Sequence, residues 1–252
     1  SKACGAYQLR NLTVSTLFTS FESMVADISK IPLCIGIILD GNRRWAKENG
    51  LPTLEGHRRG ADRLKECTRW VRQRGIKNLV VFVFSTENWN RKEGEVSTLL
   101  ELLQQTAEGP LKELAGERIR VRAIGKMDMF PQRMRDAIAQ VESVHVENVE
   151  LTLWLCLSYG SRAEITAAAQ HVAASGKNIT EESLRQHFWS AEMPDPDLVI
   201  RTGGAQRLSN FLLWQAAYSE LFFLDIYWPD FSEQHLNSVL DEFNQRTRRF
   251  GI

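Results

Sequence analysis

The sequence predicts an α/β domain built on a mostly parallel sheet, and three observations carry that prediction. Short runs rich in β-branched and apolar residues recur along the chain, longer segments with three- and four-residue apolar steps separate them, and no internal repeat or low-complexity linker breaks the alternation. Strands alternating with helices in this way pair in parallel, and the helices cover both faces of the sheet. With 252 residues, 43% of them hydrophobic, the chain can bury one sizeable core, which excludes a disordered protein.

The first periodic segment, residues 12–28, places Val14, Leu17, Phe18, Phe21, Met24, Val25 and Ile28 at helical spacing and ends near Pro32. Its other face carries Glu22 and Asp27 without the Lys and Arg of a lipid-binding helix, so packing on the parent domain outranks a membrane-surface role. Residues 1–31 therefore read as an extension holding an amphipathic helix, and 32–252 as one domain. The predicted β runs are Leu33–Leu39, Leu79–Phe84, Ile119–Ile124, Val149–Leu157 and Leu198–Ile200, with Leu221–Leu224 as a sixth. Helical patterns fill 57–74, 93–115, 131–146, 161–175 and 180–189, and a last one follows Ser232 up to Phe250. Gly75 and Gly116 suit helix ends, Pro131 suits a first turn, and Thr180 before two glutamates suits an N-cap.

Charge narrows the function. The 31 Lys and Arg balance 31 Asp and Glu, so the chain lacks the cationic surplus of a nucleic-acid binder, and any anion it holds must be met by local clusters. Cys4, Cys34, Cys67 and Cys156 are scattered without metal-ligand spacing, and three of them, in apolar or helical-looking runs, read as small buried hydrophobes in a reducing, cytoplasmic setting. The longest apolar run, Leu79–Phe84, is far short of a membrane span, and no signal-peptide pattern opens the chain.

Ligands of open α/β sheets sit beyond the carboxyl ends of strands. Polar residues collect there: Asp40-Gly41-Asn42-Arg43-Arg44-Trp45 after the first run, Ser85-Thr86-Glu87-Asn88-Trp89-Asn90-Arg91 after the second, Ser158-Tyr159-Gly160 after the fourth, and Arg201-Thr202-Gly203-Gly204 after the fifth. One carboxylate beside arginines at a helix start suits a Mg²⁺ ion shared with a diphosphate. The same residues read equally as a helix N-cap beside solvated arginines. The stretch from Arg201 to Ser209 pairs two arginines with two hydroxyls around a glycine pair, a second phosphate-like pocket or a polar turn. His57, between Gly56 and Arg58, caps a helix or donates to phosphate, whereas His145, His171, His187 and His235 fall in helical patterns as packing or surface residues. Phosphate-loop, dinucleotide and zinc-hydrolase signatures are absent from the sequence. Bulky residues such as Trp89, Trp154, Phe82 and Phe84 exceed what these motifs need; most are core, and a share could line an apolar tunnel beside the anion sites. A diphosphate head site with an apolar tail site describes an isoprenoid diphosphate pocket.

Six motifs, ILDGNRRWA at 38–46, GHRRGA at 56–61, FSTENWNR at 84–91, LSYGSR at 157–162, DLVIRTGGAQRLSNFLLWQAAYSE at 197–220 and RTRRFG at 246–251, resemble those of the cis-prenyltransferases, the undecaprenyl diphosphate synthase family. The resemblance runs from about Pro32 to Gly251. It implies a homodimer, a central parallel sheet and a long apolar tunnel. It further implies that Asp40 holds Mg²⁺, that Gly41, Asn42, Arg43, Arg44, His57 and Arg91 surround an allylic diphosphate, that Arg201, Arg207 and Ser209 take isopentenyl diphosphate, and that Trp45 and Leu208 are further substrate-binding residues. By the same likeness Arg249 and Gly251 reach the partner subunit's site, Glu220 is a second metal-site acid, Asn88 with Ser85 stands where a proton is removed, and Thr86, Glu87 and Trp89 shape the loop around the reacting ends. The implied reaction extends an allylic diphosphate with isopentenyl diphosphate to a Z-polyprenyl diphosphate.

Several positions depart from the commonest pattern of that family. Arg43 replaces a glycine, Thr53 an arginine, Gln206 a histidine, Ala205 the glutamate of RTxGE, and Trp154 a frequent asparagine. The loss of acid at Ala205 is shared with enzymes that make branched, lavandulyl-type products, so irregular coupling is the rival reaction. A non-catalytic subunit lending only its C-terminal RxG is a rival of another class, opposed by the retained Asp40 and FSTENWNR. Val81, Val83, Leu151 and Trp154 are the expected determinants of tunnel length. Two readings of the extension stay open, a cover over the tunnel mouth and a peripheral contact with the membrane that carries the lipid product.

Overall fold

The structure, a computed structural model, describes residues 31–246. The predicted helix at 12–28, Cys4, Arg249 and Gly251 lie outside the described residues. Six strands form one sheet: β1 (Cys34–Ile38), β2 (Asn78–Ser85), β3 (Ile119–Ile124), β4 (Leu151–Tyr159), β5 (Leu198–Arg201) and β6 (Glu220–Phe223). Their order is β3-β4-β2-β1-β5-β6 and every neighbouring pair is parallel. The helices are α1 (Asn42–Glu48), α2 (Thr53–Gln73), α3 (Glu93–Glu108), α4 (Pro110–Ala115), α5 (Gln132–Glu142), α6 (Ser161–Ala174), α7 (Glu181–Arg185) and α8 (Glu233–Gln245).

The predicted α/β class with a six-stranded parallel sheet is the fold observed. Alternation along β1 explains its two layers: Ile35 and Ile37 face a large core built with Leu64, Val71, Leu99 and Ile138 from α2, α3 and α5, while Cys34 and Ile38 face a smaller one with Trp154, Phe211 and Leu212. Cys34, Cys67 and Cys156 are buried free thiols, as their apolar surroundings predict. At the β3 edge, Glu142 from the end of α5 accepts the Ala123 N–H at 2.9 Å and so satisfies a donor that no strand reaches.

Several helical boundaries differ from the sequence pattern: the helices expected over 131–146, 180–189 and up to Phe250 end at Glu142, Arg185 and Gln245. The segment expected as one helix over 93–115 is two, because Pro110 cannot donate an amide proton within a helix and starts α4 afresh after Gly109. The helix expected from residue 57 begins at Thr53, with Pro52 in extended geometry before it. Thr180 caps α7 as predicted, accepting the Ser183 N–H at 3.1 Å. No helix of the described residues is long and apolar enough to cross a membrane.

Candidate active site

β2 lies on one side of β1 and β5 on the other, so the strand order reverses at β1, and loops diverging from such a point leave a crevice beyond the strand ends. Asp40 leaves β1 there. Its carboxylate accepts from Arg201 Nη2 at 2.8 Å and lies 3.3 Å from Arg44 Nη2. Thr202 Oγ1 and the Trp228 N–H both donate to its backbone carbonyl, at 2.7 and 3.0 Å. Gly41 then turns the chain into α1 at φ 111°, where a Cβ would stand 2.7 Å from the Tyr227 ring, so conformation and space both demand glycine.

Arg201 and Arg44 are each aimed by a second contact. Arg201, the last residue of β5 and buried, gives Nη1 to Ser209 Oγ at 2.8 Å and to the Arg207 carbonyl at 2.5 Å. Arg44 donates to the Gly203 carbonyl at 2.8 Å and sits over the Tyr227 ring. Arg43 and Arg91 converge on one oxygen of Glu95, at 3.2 and 2.9 Å. In the turn after β2, Asn88 Oδ1 accepts the Ser85 N–H at 3.0 Å, and the Trp89 indole donates to Ser158 Oγ at 2.9 Å.

These groups surround the mouth of a cavity of about 340 Å³. Asp40, Asn42, His57, Ser85, Asn88, Arg91, Arg201 and Ser209 line it at the polar end; Leu99, Leu103, Ile138 and Val141 line it between the sheet and α3 and α5. A cleft beside the mouth is walled by Gly41, Arg43, Arg44, Lys47 and Thr53, and another by Arg44, Gly203, Ala205, Arg207 and Asp225. His57 is pushed down to about pKa 4, chiefly by burial and then by Arg91, with Arg43 acting in the same sense and Glu95 against it. The ring is therefore neutral near pH 7. Its Nε2 and Asn42 Oδ1 are buried without a hydrogen-bond partner, polar atoms of the cavity wall with capacity for a ligand.

Other expected site residues stand apart from these linings. The Trp45 indole donates to Asp230 at 2.8 Å, Trp89 packs on Phe84 and Phe130, and Leu208 packs into the smaller core. Thr86 and Glu87 meet the α6 side of the turn, where Glu87 accepts from Asn210. Glu220 begins β6 beside Leu198, three residues of strand before the level of Arg201, and its carboxylate pairs with Arg246 at 2.8 Å. Within one chain it is therefore not brought to Asp40. Trp154 packs on the opposite face of the sheet, its indole donating to Asn78 at 3.0 Å; of the four residues expected to set tunnel length, Val83 lines the cavity. Lys47 and Glu95 each stand four residues after an arginine of the site, and within α1 that spacing puts Arg43 and Lys47 on one helical face.

The family model described as "Putative undecaprenyl diphosphate synthase" matches residues 38–251. The chain belongs to that family. It is 42% identical over 242 residues to an isoprenyl transferase of Bacillus anthracis, covering 92% of this chain and 94% of that protein. Among solved structures, a lavandulyl diphosphate synthase from Lavandula x intermedia in complex with dimethylallyl diphosphate superposes with a TM-score of 0.83 at 34% identity, over 89% of this chain and all of that one. A probable undecaprenyl diphosphate synthase from Campylobacter jejuni gives 0.75 at 32% identity, over 88% and 99%. The protein is thus a prenyl-transferring enzyme, and isoprenyl diphosphates are the substrates its family implies.

The donor set bears on a metal. Among the described residues no three His, Cys, Asp or Glu gather as an ion cage. The Asp40 carboxylate ringed by arginines, with Asp225 in the adjoining cleft, fits Mg²⁺, which keeps waters and phosphate oxygens around one or two carboxylates, and does not fit a structural zinc.

Proposed function

We propose that the protein is a Mg²⁺-dependent cis-prenyltransferase that extends an allylic diphosphate with isopentenyl diphosphate. The observation that carries this reading is the placement of Asp40 between two arginine clusters at the polar mouth of an apolar cavity. Arg43, Arg44, His57 and Arg91 serve the allylic diphosphate; Arg201, Arg207 and Ser209 serve the isopentenyl diphosphate. Asp40 would hold Mg²⁺, which supplies neutralising charge to diphosphate oxygens when bound.

In the reaction the allylic C–O bond breaks and its electron pair leaves with the diphosphate, whose charge the arginines stabilise more strongly than that of the bound ester. The isopentenyl double bond supplies the electrons of the new C–C bond, and loss of a proton restores a double bond in the Z geometry. Asn88 positions this step. An amide is a very weak base, so a diphosphate oxygen takes the proton. The leucine- and valine-lined cavity holds the growing chain out of water.

On this reading residues 32–252 are the catalytic domain and 1–31 an extension, the working unit is a cytoplasmic homodimer, peripheral at the membrane when it delivers product, and Arg249 and Gly251 serve the partner's site. Purified protein incubated with Mg²⁺, labelled isopentenyl diphosphate and dimethylallyl, geranyl or farnesyl diphosphate tests the proposal. Linear Z-polyprenols after dephosphorylation are expected, and absence of Mg²⁺-dependent turnover with every primer would sink it. Ala205, which stands where the family's commonest pattern has a glutamate, favours one second reading, irregular coupling of two five-carbon diphosphates; branched products in the same assay would establish it.

A further inference from the structure

Two loops supply the halves of the site: the turn from Ser85 to Arg91, and the segment after β5 that carries Arg207 and Ser209. One side chain joins them. Asn210 Nδ2 donates to Glu87 Oε1 at 2.9 Å, while its Oδ1 accepts the Arg162 N–H at 2.9 Å and its backbone carbonyl accepts the Ser161 N–H at 2.8 Å. The amide orientation follows from these partners. Reversed, it would set an NH₂ group against the Arg162 N–H and an oxygen against the Glu87 carboxylate, both repulsive.

The backbone around Asn210 is held in a costly shape. Ser209, Asn210 and Leu212 have φ of 49°, 67° and 44°, the left-handed region that non-glycine residues adopt only when their surroundings over-determine it. Those surroundings are present. Ser161 Oγ accepts the Leu213 N–H at 3.0 Å, and Gln215 gives its amide to the buried Glu164 and Ser190 at 2.9 and 2.7 Å. Gly160 marks the point where the segments touch, since a Cβ there would lie 2.6 Å from both Asn210 Nδ2 and Thr86 Oγ1. Ser209, the next residue back, accepts from Arg201, and Arg201 reaches Asp40. A continuous series of contacts thus runs from Glu87 through Asn210 and Ser209 to Arg201 and Asp40.

We propose that Asn210 is a positioning residue that ties the 85–91 turn to the Ser209 loop and so sets the spacing between the two substrate halves, a role whose kinetic consequence rests on the prenyl-transfer reading above. An asparagine is required because one planar group must accept from a backbone amide on α6 and donate to a carboxylate on the turn.

Polarity reversal tests this. Asn210→Asp keeps both contacts with α6 and replaces only the donor to Glu87 with a second carboxylate. In the full chain without substrate, hydrogen exchange of residues 85–91 is expected to speed up about tenfold, with sheet protection unchanged; the lost bond involves a charged group, which sets that scale. The double variant Asn210→Asp with Glu87→Gln restores the bond in the opposite direction and is expected to recover most of the protection. Steady-state assays should follow: kcat/KM for isopentenyl diphosphate falls about tenfold in the single variant and returns in the double. Glu87→Ala, at an exposed position, is the second probe, and should loosen residues 208–213 across the gap. Exchange in 85–91 that ignores Asn210→Asp, or a double variant worse than the single, overturns the proposal. A wild-type protein without prenyl-transfer activity defeats the functional reading instead, and the exchange result still decides the role of Asn210.

Discussion

Asp40 and Arg201 are 161 residues apart in the chain and 2.8 Å apart in the structure, joined where β1 and β5 end side by side. Arg201 is buried, so its partner bears on folding as well as on chemistry. Asp40→Asn keeps an oxygen to accept from Arg201 and removes the charge that would hold a cation. The expected result is a fall in kcat of about 100-fold or more with stability within about 1 kcal/mol of wild type, measured by steady-state kinetics with Mg²⁺ and by urea unfolding. Equal losses of stability and activity would show that Asp40 acts only as a structural anchor for Arg201.

His57 gives a pH dependence with a definite sign. Its folded pKa is pushed down to about 4 from 6.5, by burial first and by Arg91 next. Between those values the unfolded chain binds a proton there that the folded chain does not, so this residue lowers stability as pH falls through the window and has no such effect above it. Urea midpoints for wild type should drop between about pH 7 and about pH 5 by more than those of His57→Gln. A variant with the same drop as wild type would place the acid sensitivity elsewhere.

What the sequence disclosed, and what it hid, follows from how each element is buried. The polar tails of the strands were legible because Asp40, Ser85 and Arg201 interrupt apolar runs at the ends where ligands collect. Facing directions within β4 were not. That strand is buried on nearly every residue, so the period-two signal that separates one face from the other is lost, and Trp154 falls on the side away from the cavity. Glu220 precedes the apolar run Leu221–Leu224, and the register puts it beside Leu198, so within one chain it stands apart from Asp40. Asn210 was visible as a letter in a motif, but its role depends on Glu87 and Arg162, 123 and 48 residues away, and no local pattern joins them.

Glu164 is a stability residue of the smaller core. Fully buried, it accepts from Tyr159 Oη at 2.6 Å, the Ser190 N–H at 2.9 Å and Gln215 Nε2 at 2.9 Å. Burial foremost, with the Glu164 charge beside it, drives the Tyr159 phenol well above its usual pKa, so it stays a donor. Glu164→Leu strands three donors in an apolar setting and should cost about 3 kcal/mol or more in urea unfolding. Glu164→Gln, which still accepts, should cost less; equal losses would mean that shape, and not hydrogen bonding, governs the site.

Ala205 lies in the cleft that also holds Asp40, Asp225 and Arg207. A third carboxylate there adds oxygen ligands and negative charge where Mg²⁺ is proposed to act. Ala205→Glu is expected to lower the Mg²⁺ concentration for half-maximal turnover by about threefold, with products linear before and after. Conversion of branched products into linear ones by this substitution would instead identify Ala205 as the determinant of irregular coupling.

Product length should respond to the cavity wall under β3. Ala123 lines the cavity from that strand, three strands across the sheet from β1 and Asp40, about 14 Å at ordinary strand spacing. A short primer at the polar mouth does not reach it, whereas a chain lengthened by several units does. Ala123→Leu fills space at that end and faces the cavity, so it avoids the overpacking that an added side chain causes in a filled core. The first condensation on dimethylallyl or geranyl diphosphate is expected to keep its rate within about twofold, while the longest products disappear in favour of shorter ones, read by chromatography and mass. An unchanged product distribution would mean that the chain leaves the cavity before β3, and a slowed first condensation would mean that the cavity fills from the other end.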